Sequence, residues 1–230
     1  MSKKTIVAKN VQNIVGFVKI LPTHSLDLVK ASRLYQEAIL IAEIDPSQAW
    51  ILLVSAIEAI SYSRDWSKES PSDPWEIIGK WDTTLRECLE RSQPTLEELE
   101  VISSKITQNN QSTNKFINFI IKYLPNPPIN RPSENWQFPW AKTRKMKESL
   151  SCIYGYRSAA LHSGKPFPSP MCEGWWMHRK DESIYAEIPV EIAQSGRGGV
   201  WIAKDVPMTL YIFEYIVRES LLKWWADMAT

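Results

Sequence analysis

The chain has 230 residues, 44% of them hydrophobic and 23% charged, and its 27 basic residues nearly balance 26 acidic ones. That length buries a core without metal or disulfide staples, and the composition excludes a largely disordered chain. A net charge of +1 does not mark a nucleic-acid binder, yet it leaves room for a local basic patch.

Cys88, Cys152 and Cys172 are odd in number and widely spaced, so they read as reduced thiols. No stretch approaches the ~20 apolar residues of a membrane span. Lys9, Asn10, Gln12, Asn13 and Lys19 interrupt any signal-peptide core near the N-terminus. A cytoplasmic location without membrane contact is expected.

Residues 1–24 are expected to form an arm or strand ending at Pro22, ahead of a single helical domain over 25–230. Ser25 can cap the first helix and Asp27 suits its first turn. Leu28, Leu34, Ala38 and Ile41 or Ala42 fall on its inner stripe. Asp45-Pro46 ends this helix and opens the next, PSQAWILLVSAIEAISYS, joined to it as an antiparallel hairpin. This second helix is apolar almost all round, with Trp50, Leu53, Val54, Ile57 and Ile60 marking a buried central element. The charge inside it, Glu58, is either solvent-facing or paired, because a buried carboxylate needs a partner.

Residues 63–93 read as a polar, proline-containing segment. Thr95 is a cap for a helix over TLEELEVISSKI, and TNKFINFIIKYLP is expected as a separate helix stopping at Pro125. NPPINRPSENWQFPW is a proline-rich loop. AKTRKMKESLSCIYGYRSAALHSG predicts a further helix with Met146, Leu150, Ile153 and Ala160 on its core stripe and Gly164 as its left-handed terminator. SIYAEIPVEI and GVWIAKDV alternate like two strands about AQSGRGG, which predicts a small hairpin insertion near 184–204. A long amphipathic helix with Asp205 near its start closes a mainly α fold.

The chemistry concentrates in YGYRSAALHSG. His24, His162 and His178 have no paired ligand spacing around them, so no metal is expected. Phosphate-binding glycine loops and a GxSxG elbow are missing, and no cofactor is expected. Arg157 and His162 are spaced RxxxxH, about 140° apart around a helix. Ser158 and His162 share one face, and Tyr154 extends that stripe. A histidine can act as base or acid near neutral pH, and an arginine can hold a phosphate and offset transition-state charge. Together they suit metal-free cleavage of RNA through attack of the ribose 2′-hydroxyl. The competing reading is a helix end whose histidine is favoured by the helix dipole. Trp175 and Trp176, near His178, Arg179 and Lys180, could stack RNA bases, with Trp176 and Arg179 as the contacts, or could serve core packing or a partner.

The run IYGYRSAALHSG resembles the signature of the HEPN superfamily, and within it the ApeA-like group. Tyr154 or Tyr156, Arg157, Ser158 and His162 match its tyrosine, Arg-Ser and histidine. Ser163 departs from the group's His-Gly. AWILLVSAIEAIS resembles its apolar, glutamate-bearing helix, with Glu58 as that glutamate. The likeness covers about residues 25–165. It implies a HEPN-like helical bundle acting as a metal-independent endoribonuclease. Arg157 and His162 would be the catalytic pair, Ser158 the supporting polar residue, and Glu58 a partner that orients Arg157. It further implies a homodimer through the motif helix and a prokaryotic defence or toxin setting, with an antitoxin or defence-complex subunit as a possible partner. The alternative is a non-catalytic nucleotide- or protein-binding dimerisation module of the same fold.

Overall fold

A computed structural model describes residues 17, 19–62, 73–140, 143–172, 176–179, 182–189, 194–196, 199–202 and 205–229. Among these the protein is mainly helical: α1 (Pro22–Ile41), α2 (Pro46–Ser61), α3 (Pro74–Trp81), α4 (Thr83–Ser92), α5 (Leu96–Lys122), α6 (Thr143–Ser163), the short α7 (Ser169–Cys172) and α8 (Leu210–Met228). No described helix is long and apolar enough to cross a membrane.

The hub is α2, which packs against α1, α5, α6 and α8. A helix packed on four others keeps little surface in water, which is why its apolar run goes almost all round, with Gln48 exposed and Ile51, Leu52, Ser55 and Ala59 half-buried. Asp45 starts it by accepting the Gln48 N–H, with Pro46 where a missing N–H costs nothing. Trp50, Leu53, Val54, Ile57 and Ile60 are all buried. The Trp50 ring lies between Phe167 and Phe213, 5.3 and 4.7 Å away and nearly parallel to both. Its indole N–H donates to the Met171 carbonyl at 3.2 Å, so the one polar atom in the stack is satisfied.

Several sequence expectations are revised. α1 begins at Pro22, so Ser25 is no cap: its hydroxyl donates to the Leu21 carbonyl inside the first turn. The arm over 1–24 falls largely outside the described residues. The polar segment 63–93 contains α3 and α4, started by Asp73 and Asp82, whose carboxylates accept N–H groups of the first turns. Residues 63–72 lie outside the described part. The two helices expected between 95 and 125 are one helix of 27 residues, opened by a capping box of Thr95 and Glu98. TQNNQSTN, between its two apolar halves, holds no glycine or proline, so nothing in it stops the backbone ladder.

The α3–α4 pair packs on the first half of α5 through a separate small cluster of Ile78, Leu99 and Ile106. The second half of α5 enters the main core through Phe116, Phe119 and Ile120. α8 starts at Leu210 rather than beside Asp205.

The late strands differ from the expected hairpin. β1 (Trp176–Arg179) pairs antiparallel with β2 (Glu182–Tyr185), Trp176 opposite Tyr185. β3 (Gln194–Gly196) pairs with β4 (Gly199–Trp201), Gln194 opposite Trp201. Ser183–Tyr185 therefore join an upstream strand instead of the segment after the glycines. The residues that follow β2 bond to other segments. The Glu187 and Ile188 N–H groups donate to the Trp136 carbonyl, and the Glu187 carbonyl accepts from Thr209 N–H. Pro189 has no N–H to offer.

Candidate functional site

α6 runs to Ser163 and stops where Gly164 takes φ 63°, a left-handed geometry that favours glycine. The turn lets the Lys165 N–H return to the Ala159 carbonyl at 3.3 Å. Met146, Leu150, Ile153 and Tyr154 face the core. The stripe from Tyr154 through Ser158 to His162 therefore runs from buried, through half-buried, to exposed.

Glu58 is paired rather than solvent-facing. One carboxylate oxygen accepts the Tyr154 hydroxyl at 2.7 Å, and the other accepts an Arg157 guanidinium N–H at 2.5 Å. The side chains are 10% and 19% exposed for Glu58 and Arg157, so their attraction is poorly screened by water. Arg157 also lies over the Tyr154 ring, 5.6 Å from its centre. Burial and the adjacent Glu58 carboxylate push the Tyr154 phenol well above its ordinary range. It stays a neutral donor throughout the physiological range.

The guanidinium is not fully used. Its Nε is buried and has no hydrogen-bond partner among the described residues. A buried donor without an acceptor is uncommon, and an oxyanion is the kind of group that takes it up. No hydrogen bond or ion pair joins Arg157 to His162 among the described residues. The first turns inward to α2, while the second stands exposed in the last turn of α6.

Trp176 and Arg179 occupy the two ends of β1, and their expected RNA contacts concern side chains outside the described ones. Among the described residues no three His, Cys, Asp or Glu side chains converge to hold a metal ion. A cavity of about 900 Å³ lies elsewhere, between α1 and the start of α8, lined in part by Tyr35, Leu40, Ile44 and Glu214. None of the sequence-predicted site residues lines it.

Sequence reasoning missed three neighbours of the cluster. Tyr62 follows Glu58 by four residues and hydrogen-bonds Ser112 of α5. Ser112 is close enough to Tyr154 to ease its ionisation. Lys115 lies over the Tyr62 ring at 4.9 Å. The four-residue spacing from Glu58 to Tyr62 was the available signal. Comparison of the chain with protein-family models, curated proteins and solved structures found no match.

Proposed function

We propose that the protein is a metal-independent endoribonuclease on a HEPN-like helical bundle, serving in a prokaryotic defence or toxin setting. The observation that carries this reading is the Glu58–Arg157 pair. A central-helix carboxylate holds the motif arginine, five residues along α6 from an exposed histidine. Glu58 fixes the guanidinium so that little ordering is left for substrate binding to do.

In the reaction, a base draws the proton from a ribose 2′-hydroxyl, and that oxygen attacks the adjacent phosphorus. The bond to the 5′-oxygen breaks, an acid returns a proton to that oxygen, and a 2′,3′-cyclic phosphate remains. His162 serves as the base or the acid. Arg157 holds the phosphate and offsets its added negative charge, a charge that needs a permanent cation. Ser158 donates to a phosphate oxygen or orients the imidazole. Two copies meeting through α6 bring a second Arg157–His162 pair to the cleft.

The test is RNA incubated with the protein in EDTA. Cleavage that leaves cyclic phosphate ends, and that His162→Ala abolishes, is the expected result. No cleavage of varied RNAs by the wild type sinks the reading. Arg157→Ala is a poorer probe alone, because it strips a buried carboxylate of its cation.

One observation favours the second reading, a non-catalytic nucleotide- or protein-binding dimerisation module. No hydrogen bond or ion pair joins Arg157 to His162 among the described residues, and His162 stands exposed in the last turn of α6. A folded protein that captures a partner and never cleaves RNA would support that alternative.

A further inference from the structure

Three helices bring polar side chains to one edge of the bundle. Glu58 on α2 and Tyr62, the residue that caps its C-terminus, are four apart and share a face. On α5, Ser112, Lys115 and Phe116 share a face, and Phe116 packs against the Tyr154 ring at 5.4 Å. On α6, Tyr154, Arg157 and Ser158 do the same. The contacts form one chain: Lys115 on Tyr62, Tyr62 on Ser112, Ser112 beside Tyr154, Tyr154 on Glu58, and Glu58 on Arg157. Two cations therefore flank three hydroxyl groups.

Their electrostatic states differ. The charge of Arg157 is offset by Glu58. Lys115 pairs with no carboxylate among the described residues. It is half-buried and held over a tyrosine ring that is itself 55% exposed. A lysine ammonium in open water wanders through many rotamers. One held against an aromatic face, with no carboxylate partner among the described residues, is set to receive an anion.

We propose that Lys115 is a substrate-binding residue of the same site, taking a backbone phosphate next to the one that Arg157 holds. Tyr62 is the positioning residue that fixes it, and Ser112 fixes Tyr62. This rests on the ribonuclease reading above, because the anion is an RNA phosphate.

The experiment uses the full chain carrying His162→Ala, so that a short fluorescent single-stranded RNA is bound without cleavage. Lys115→Ala is expected to weaken binding about five- to tenfold and to lower the slope of log affinity against log salt by about 0.7, one phosphate contact on a single strand. Lys115→Arg restores both. Tyr62→Leu, which removes the ring, behaves like Lys115→Ala, and Tyr62→Phe, which keeps the ring and loses only the Ser112 hydrogen bond, falls between Tyr62→Leu and the parent. In the wild-type background, Lys115→Ala raises KM and leaves kcat within about twofold. Unchanged affinity and salt slope in Lys115→Ala, beside a parent that binds RNA, overturns the inference and leaves the ribonuclease reading standing. A parent that binds no RNA and a wild type that cleaves none overturn both.

Discussion

His162 and Arg157 answer different questions when they are removed. His162 is exposed in the last turn of α6, so His162→Ala is expected to leave the melting temperature within a degree or two, while lowering kcat about 10²- to 10⁴-fold, the worth of a general acid or base. Arg157→Ala leaves Glu58 charged and without its cation, and is expected to cost about 3–5 kcal/mol in a urea titration. Glu58→Gln combined with Arg157→Ala should recover part of that loss, because the two effects are coupled. Additive losses would mean that the pair contributes nothing as a pair.

The tyrosines give the alkaline limb of stability. Burial foremost raises Tyr35, Tyr154 and Tyr156, with Glu214 and Glu58 adding to the first two. In the unfolded chain a phenol ionises near ~10. Each raised value therefore contributes stability that is whole below about pH 10 and is lost as pH climbs from there toward the folded values. Urea midpoints followed from about pH 8 to about pH 11 should fall, and Tyr154→Phe should flatten the fall. A flat wild-type profile would contradict the burial of these phenols.

At the scale of elements, the α3–α4 pair is the weak unit. α4 has no buried residue, and the pair rests on α5 through a cluster separate from the main core. Its amides are expected to exchange with solvent well before those of α2, which packs on four helices. Asp82→Ala removes the acceptor for two N–H groups and should cost about 1 kcal/mol. Its effect on exchange should be confined to α3 and α4. Faster exchange across α2 as well would mean that the bundle opens as one body.

For the whole molecule, a second buried ion pair ties distant segments together. Arg131 donates to both oxygens of Glu187, at 2.8 and 2.6 Å, and to the Phe138 carbonyl. Glu187, 1% exposed, also accepts the Phe138 N–H at 2.7 Å. The proline-rich loop is thereby clamped to the segment that follows β2. Arg131→Ala is expected to cost about 3–5 kcal/mol, since it orphans a buried carboxylate. Replacing both partners with apolar residues should cost less than Arg131→Ala alone. A single substitution without effect on the urea midpoint would show that the clamp does not hold the loop.

The amino-acid sequence by itself determined what local rules govern. The apolar run of α2, the stripe of Met146, Leu150 and Ile153 on α6, and the stop at Gly164 follow from helical period and backbone preference. Tyr154, Ser158 and His162 could be placed on one stripe for the same reason. α3 and α4 were legible too, had Asp73-Pro74 and Asp82 been read as helix starts. Only the tertiary structure decided whether Glu58 faces water, since its partners are 96 and 99 residues away. It likewise brought Ser112 and Lys115 beside Tyr62, joined Arg131 to Glu187, and redirected the strand at Ser183–Tyr185. The physical reason is common to all of these. Periodicity tells a residue which face of its own helix it occupies, but the partner of a buried charge is set by which faces the packed core brings together.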